Sequence, residues 1–348
     1  MAKSPIRPAR VQPAVPTIRD VARLADVSIG TASKALNANG RLKQETRAKV
    51  LAAARQIGYR PNDLAQSLHR TRSMTVGIIS NDSFGRFTLP IVEALEQQLA
   101  DEGIAIFMCN ATDDPERERQ HIDQLLGKRI DGLVVTSRRA DERAPVGPLP
   151  QGLPTIYVYS QPNDHSALSL VPDDEGGARL AVRHLLDLGR TSIAHISGPE
   201  RFEAVRLRHR GYCNELADAG IAPVASHYLS GSWSEEWGRD AVGRLFDQQS
   251  QRPDAIFCGN DQIARGAVDA LHERGISVPE AVAIVGFDNW NVMTDAARPP
   301  LSSIDMNLSA LGREAGRALL AMIGGESASG TQRLPCTLVV RSSSRIAG

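Results

Sequence analysis

The chain changes its apolar rhythm once, between Leu68 and Thr75. Before that point apolar residues follow helical spacing in short runs. Ile18, Val21, Ala22 and Leu24 make one face, Ala32, Ala35 and Leu36 a second, and Val50, Leu51, Ala54 and Ile57 a third. Thr17 stands where a helix cap belongs, and Asp20 follows three residues on, in a capping-box position. Ala25-Asp26-Val27 is too short for a loop between independent helices, so it predicts a tight turn. Ser28 then caps a second helix. Small Ala22 lets the two helices cross closely, and a third helix over about Gln44 to Gln56 closes the core. The second helix leaves Ile29, Gly30, Thr31, Ser33 and Lys34 exposed. Residues near the N-terminus of such a helix are those a helix-turn-helix turns to base edges.

Pro61 stops the third helical pattern. Asn62 to Leu68 is a helix-like heptad, and isolated helices below about 12–15 residues are marginal in water. The heptad is therefore expected to be disordered off DNA. Two copies folding together on a duplex would push Leu68 into the minor groove as an apolar wedge.

From Thr75 onward continuous apolar strands alternate with amphipathic helices. Strands are predicted over 75–80, 104–109, 131–136, 155–159, 192–197, 255–259, 282–287 and 334–341. Helices are predicted over 90–100, 115–126, 175–188, 205–219, 234–246, 261–274 and 311–323. Strands without alternation, set between helices, mean parallel sheets covered on both faces. The rhythm runs twice, which predicts an α/β body of two doubly wound lobes. Ligands of such sheets bind beyond the carboxyl ends of the strands. Asn81, Asn110, Ser137 and Tyr159 follow strands of the first lobe, and Ser197-Gly198-Pro199, Asn260-Asp261 and Asp288-Asn289 follow strands of the second. Two polar sets facing across a cleft make a small-molecule clamp.

Charge sharpens the division. The whole chain is neutral, with 40 Lys and Arg against 40 Asp and Glu. Residues 1–72 hold 14 against 4, so +10, which leaves 26 against 36, so −10, for the rest. A basic head on an acidic body is the footprint of nucleic-acid binding at one end. Residues 1–16 are rich in Pro, Arg and Ala without an apolar centre, so they read as a disordered basic arm and not as a signal peptide. Cys109, Cys213, Cys258 and Cys336 are isolated and in apolar settings, which suits free thiols in a reducing cytosol. No apolar run approaches the roughly 20 residues of a membrane span. The histidines show no metal-ligand spacing, so neither a metal nor a cofactor is expected.

The head resembles the lactose-repressor/galactose-repressor family of bacterial transcription regulators. The marks are Asp20-Val21-Ala22, Val27-Ser28, Thr31-Ala32-Ser33-Lys34-Ala35-Leu36-Asn37, Thr46-Arg47-Ala48-Lys49-Val50, and Tyr59-x-Pro61-Asn62 with Ala65 and Leu68. Asp26 stands where the family usually has Gly, and Gly30 where many relatives carry a base-reading side chain, which shifts reading toward Ile29, Ser33 and Lys34. The resemblance implies DNA contacts from Thr17, Ser28, Ile29, Gly30, Thr31, Ser33, Lys34, Asn37, Tyr59, Asn62, Ala65 and Leu68. It extends over the body, about 330 residues in all. Gly198-Pro199 with Arg206, Arg208 and Gly211 looks like the family's effector-arginine segment, and Arg208 falls on the position that hydrogen-bonds the effector. Gly231-Ser232-Trp233-Ser234 resembles the segment whose aromatic residue stacks on the ligand, and Asn260-Asp261 and Gly286-Phe287-Asp288 match two further ligand positions. Tyr159 stands where many sugar-binding relatives have Asp. Phe87, Tyr159, Arg208, Trp233, Asn260 and Asp288 are the effector-site candidates. Phe87 has a place in the core as an alternative, Asn260 a role as helix cap, and Trp237 reads as packing.

Arg208 donates in a planar fork, Asp288 accepts, Asn260 does both and Trp233 offers a ring face. The set suits a sugar or sugar derivative, with a purine as the alternative. The expected domains are an arm over 1–16, a helix-turn-helix head over 17–61, a hinge over 62–72 and an effector body over 73–346. Family members cross between lobes three times. This implies a first lobe of about 73–171 and 304–335, and a second of about 172–303 and 336–346. No leucine heptad follows the last strand, so a homodimer on a near-palindromic operator is expected, in the cytoplasm at the nucleoid. Two other classes compete. A transport-type sugar-binding protein shares the body but predicts a secretory signal and no basic head. An α/β enzyme predicts a Gly-x-Ser-x-Gly elbow, a phosphate-binding Gly-x-x-x-x-Gly-Lys loop or a Gly-x-Gly-x-x-Gly fingerprint, none of which appears.

Overall fold

The computed structural model describes residues 16–37, 42–59, 72–247 and 251–345. The chain divides into two units, residues 1–73 and 74–348. In the first, α1 (Ile18–Leu24), α2 (Ile29–Leu36) and α3 (Gln44–Gln56) surround a small core of Val21, Ala22, Ala32, Ala35, Val50 and Ala54. The Thr17 hydroxyl and amide both donate to Asp20 Oδ2, at 2.6 and 2.9 Å, and these bonds hold the Asp20 carboxyl below its ordinary range. The predicted tight turn is a Schellman motif: Val27 N–H donates to Ala22 O at 3.0 Å and Asp26 N–H to Arg23 O at 3.2 Å. Asp26 takes φ +51° there, a left-handed conformation that Asp adopts more readily than most residues. The end of α3 repeats the motif, with Gly58 at φ +66° and Tyr59 N–H on Ala54 O at 2.9 Å. Tyr59 is thereby folded back onto the core. One expectation fails: Leu24 is 44% exposed and Ala25 takes the inner position. Ala25 lies four residues after Val21 and seven after Ile18, on their stripe, whereas Leu24 sits at its edge.

The second unit carries two six-stranded sheets and a small two-stranded one. Its first run is β1 (Thr75–Ser80), α4 (Thr88–Ala100), β2 (Ala105–Asn110), α5 (Pro115–Gly127), β3 (Gly132–Thr136), β4 (Glu142–Arg143), β5 (Thr155–Val158), β6 (Gln161–Pro162) and β7 (Leu168–Pro172). The second run is α6 (Asp174–Asp187), β8 (Ile193–Ser197), α7 (Glu203–Asp218), β9 (Tyr228–Ser230), α8 (Glu235–Asp247), β10 (Ala255–Cys258), α9 (Asp261–Glu273), β11 (Ala283–Phe287), α10 (Asn291–Thr294) and β12 (Ser302–Asp305). The chain ends through α11 (Leu308–Ile323), β13 (Gly330–Leu334) and β14 (Thr337–Val339). The first sheet has the order β13-β7-β5-β3-β1-β2 and is parallel throughout. The second has the order β14-β12-β11-β10-β8-β9, parallel except for β14 against β12.

Three segments join the sheets: β7 to α6, β12 to α11, and β13 to β14. The strand over Ser302–Asp305 lies in the second sheet, so the return to the first lobe starts after Asp305, not at residue 304. α11 then packs on α4 so closely that a Cβ on Gly312 would sit 2.2 Å from the Ile91 carbonyl oxygen. The single strand expected over 334–341 is instead two strands in different sheets, parted at Pro335-Cys336. An apolar core runs without a break from Val76, Ile78 and Leu95 through Tyr159 and Ala178 to Phe257, Phe287 and Leu311. It ties the lobes together beneath the cleft.

Candidate nucleic-acid interface and effector cleft

The start of α2 is built to be presented. Ser28 Oγ accepts from Thr31 N–H at 3.0 Å and lies 2.9 Å from Thr31 Oγ1. Thr17, Ser28, Ile29, Gly30 and Lys34 are exposed, while Thr31, Ser33, Asn37 and Tyr59 are half-buried. Asn37 Nδ2 donates to Ser33 Oγ at 3.2 Å, which spends part of the polar capacity of both. A Cβ on Gly30 would meet only Ser28 Oγ, at 3.9 Å, so packing does not require glycine there. Asn62, Ala65 and Leu68 lie outside the described residues.

In the second unit the strand ends converge on an ionic cluster. Arg208, on α7 and 3% exposed, donates from Nε to Asp174 Oδ1 at 2.7 Å and from Nη1 to the Gly259 carbonyl at 2.6 Å. Its Nη2 lies 2.7 Å from the same Asp174 oxygen, and its Nη1 lies 3.7 Å from Asp288 Oδ1. The guanidinium carbon stacks 3.6 Å from the Phe287 ring centroid. Burial works against the Arg208 charge, but Asp174 and Asp288 hold it firmly protonated. Burial pushes the Asp174 carboxyl up, and Arg208 pulls against it. Gly211, one turn beyond Arg208, lets α7 approach α6: a Cβ there would lie 2.4 Å from the Glu175 carbonyl oxygen.

Tyr159 follows β5 with φ +56°, a strained conformation for a tyrosine. It stacks on Phe87 with centroids 5.0 Å apart, and its hydroxyl donates to Met306 Sδ at 3.7 Å. Burial, then the Asp288 charge, pushes its phenol far above the ordinary value. Phe87 thus belongs to both the cleft wall and the edge of the core. Asp288, at φ +99°, pairs with Arg86 Nη2. Arg86 comes from the loop after β1. Asp82 sets that loop by accepting from Phe87 N–H at 2.8 Å and Thr88 N–H at 3.0 Å. The Arg86 guanidinium lies 4.8 Å from the Phe87 ring and 4.3 Å from the Trp290 ring, with Nη1 3.4 Å from Gln262 Oε1.

Phe87, Tyr159, Arg208 and Asp288 therefore meet. The other two candidates form no hydrogen bond or ion pair with these four among the described residues. Asn260 is buried and spends Oδ1 on the Ile263 amide at 2.8 Å, capping α9. Trp233 lies over the main chain at the ends of β8 and β10, where a Cβ on Gly198 would come 2.4 Å from its ring. It also stacks with Phe202 at 6.5 Å. Trp237 packs, and its Nε1 donates to the Ser197 carbonyl at 2.9 Å. The sequence pattern left out Asp174, Arg86, Trp290 and Met306. Of these Arg86 had a signal, as the one cation in the loop that ends at Phe87.

The open space lies beside this cluster. A crevice of about 820 Å³ is lined from the first lobe by Asn81, Ser137, Arg139 and Ser160 and from the second by Phe202 and Leu207, among others. Arg208, Trp233, Asn260 and Asp288 do not line it. Its lining includes Ser160 and Leu207, the chain neighbours of Tyr159 and Arg208. Among the described residues no His, Cys, Asp or Glu group could hold a metal ion, and no helix is long and apolar enough to cross a membrane. The four cysteines are free, and burial pushes their thiols up.

Known proteins match both units. Residues 17–62 match the lacI family of bacterial regulatory proteins, and residues 182–344 match a periplasmic binding protein-like domain. The HTH-type transcriptional repressor PurR of Haemophilus influenzae (strain PittEE) is 32% identical over 310 residues, 88% of this chain and 91% of that one. The HTH-type transcriptional repressor CytR of Escherichia coli (strain K12) is 31% identical over 339 residues, 97% and 98% of the two chains. Among solved structures, a lac repressor dimer bound to operator and the anti-inducer ONPF aligns with a TM-score of 0.76 at 28% identity, covering 94% of this chain and 98% of that one. A complex of the transcriptional regulator CelR with cellobiose aligns at 0.64 and 29%, covering 94% and 99%. With such relatives matched over nearly their whole length, the chain belongs to the LacI family of bacterial transcriptional regulators, DNA-binding repressors with a periplasmic-binding-protein-like effector domain and not enzymes.

Proposed function

We propose that the protein represses transcription as a cytoplasmic homodimer on a near-palindromic operator, under the control of a sugar or sugar derivative bound between the two lobes. Ile29, Ser33 and Lys34 would read base edges, with Thr17, Ser28, Thr31, Asn37 and Tyr59 positioning the head on the backbone. Asn62, Ala65 and Leu68 would form the hinge, with Leu68 as the wedge. The observation that carries the effector reading is the Arg208–Asp174–Asp288–Arg86 cluster, which contains side chains from both lobes and sits at the strand ends. A ligand that inserts there changes the contacts between lobes, and its differential affinity for two lobe arrangements would shift the DNA-binding equilibrium. The solved relatives support this reading, one with operator and anti-inducer and another with cellobiose. The Phe87–Tyr159 stack and the Trp290 face also favour a second reading, a planar ring such as a purine.

The test is selection of operators from random duplex by the full-length protein, repeated with metabolites that shift its melting temperature. An inverted repeat with two half-sites is expected, and at least one stabilising metabolite should change the affinity for it. Equal affinity for all duplexes, with and without metabolites, would refute the proposal.

A further inference from the structure

Arg86 and Asp288 stand on opposite lobes, and the pair they form is nearly sealed, with side chains 16% and 6% exposed. Any ligand that enters between the lobes at this point must part them or thread past them. Parting them leaves two charges without a partner in a site that excludes most water, which is costly unless both are compensated.

The two charges are not equally provided for. Asp288 has a second cation at hand, because Arg208 Nη1 lies 3.7 Å from its other oxygen. Arg86 forms no ion pair except with Asp288 among the described residues; its remaining contacts are Gln262 and the Phe87 and Trp290 rings. Ligand hydroxyls can satisfy Asp288, but only an anion compensates a guanidinium, and a carboxylate or phosphate matches its fork in two parallel bonds. The interlobe crevice supplies room, and its lining holds five arginines against four acids. Among the described residues Arg206 donates only to the carbonyls of Glu200 and Arg201, and Arg201 lies over the Phe202 ring at 4.5 Å. Three of the crevice's acids, Asp113, Asp141 and Glu203, already carry arginine partners.

We infer that the cleft takes an anionic, polyhydroxylated effector, a sugar acid or a sugar phosphate, and that Arg86 is the residue that selects it. The inference rests on the reading of the interlobe cluster as the effector site. The acid group takes Arg86 from Asp288, and ligand hydroxyls replace Arg86 at Asp288. Arg86 is then both the internal occupant of the site and the ligand's anchor.

Matched compounds test this with the full-length protein in calorimetry: glucose against glucuronate, gluconate and glucose 6-phosphate, and galactose against galacturonate. At least one acid should bind at least about tenfold tighter than its neutral partner, with the carboxylate and phosphate arms telling the two sources apart. Arg86→Met should bring that ratio to near one, and Arg86→Gln, which keeps a neutral donor at the position, should do the same. A neutral sugar that binds as well as its acid, or a ratio unchanged in both variants, overturns the inference and leaves the effector reading standing. Silence from every compound in a protein that still binds its operator overturns the effector reading and the inference together.

Discussion

Arg208 shows how a single buried charge is made tolerable. Its donors are divided between a carboxylate and a main-chain carbonyl, and its face lies on the Phe287 ring. Arg208→Ala would leave Asp174 buried with no cation beside it, and removal of one partner of a buried pair costs about 3–5 kcal/mol. Urea unfolding at pH 7 should show a loss of that size. The double change Asp174→Leu with Arg208→Met should lose far less, since it removes both charges at similar volume. A double variant as unstable as Arg208→Ala would contradict this account. Asp26 is a second residue-scale case. Its φ of +51° favours glycine, so Asp26→Gly should stabilise the turn by about 0.5–1 kcal/mol. Slower hydrogen exchange at the Val27 amide, which that turn holds, is the measurement. Asp26 was legible in the chain because the turn is local. Asp174 was not, because its partner lies 34 residues away and nothing nearby in sequence announces the pairing.

Elements were legible where burial and periodicity agree. The head's helices and the central strands β1, β3, β8, β10 and β11 are either amphipathic or largely apolar, and their pattern suffices to place them. β12 is different. Ser302 and Ser303 are fully buried yet polar, and are satisfied by bonds from Ser302 Oγ to the Arg341 carbonyl at 2.9 Å and from Ser303 Oγ to Asp261. A strand whose hydroxyls are satisfied by distant chain has no apolar signature. β13 is an edge strand with exposed polar side chains, so it too escapes the pattern. The packing of α6 on α7 rests on one small residue. Gly211→Ala would drive a Cβ against the Glu175 main chain, and backbone cannot yield as a side-chain tip can. We expect a loss of about 1–3 kcal/mol, of the size seen for overpacked cores, and a weaker response to effector, because Arg208 rides on the same helix. Unfolding and ligand titration of the variant measure both effects. A fully stable variant would mean that the helices separate freely.

At the scale of the molecule two buried ionisable groups under the cleft pull stability in opposite directions with pH. Burial pushes the Asp261 carboxyl up to about 8, reinforced by the Asp288 charge and opposed by donors from Ser303 and Trp290. Burial lowers His195 to about 3, against its bond with the Phe257 carbonyl. Between about 4 and 8 the unfolded chain ionises Asp261 while the folded one keeps its proton, so stability falls as pH rises. Between about 3 and 6.5 the unfolded chain charges His195 while the folded one does not, so stability rises with pH there. The two slopes oppose each other from about 4 to 6.5; the raised Asp174 carboxyl adds to the fall above its ordinary value, and His184 and His209, also lowered by burial, add to the rise below about 6.5. The lowered carboxylates Asp20, Asp164 and Asp247 titrate below this window. Urea unfolding across pH should therefore show a steeper decline above about pH 6.5 than below it, with Asp261 supplying up to about 1.4 kcal/mol per unit. Asp261→Asn should lessen that decline and favour a rise below it. His195→Phe should remove part of the rise below about pH 6.5 and leave the decline above it in place. A wild-type curve that stays flat from pH 6.5 to 8, and is unchanged in Asp261→Asn, would show that Asp261 is already ionised in the folded body.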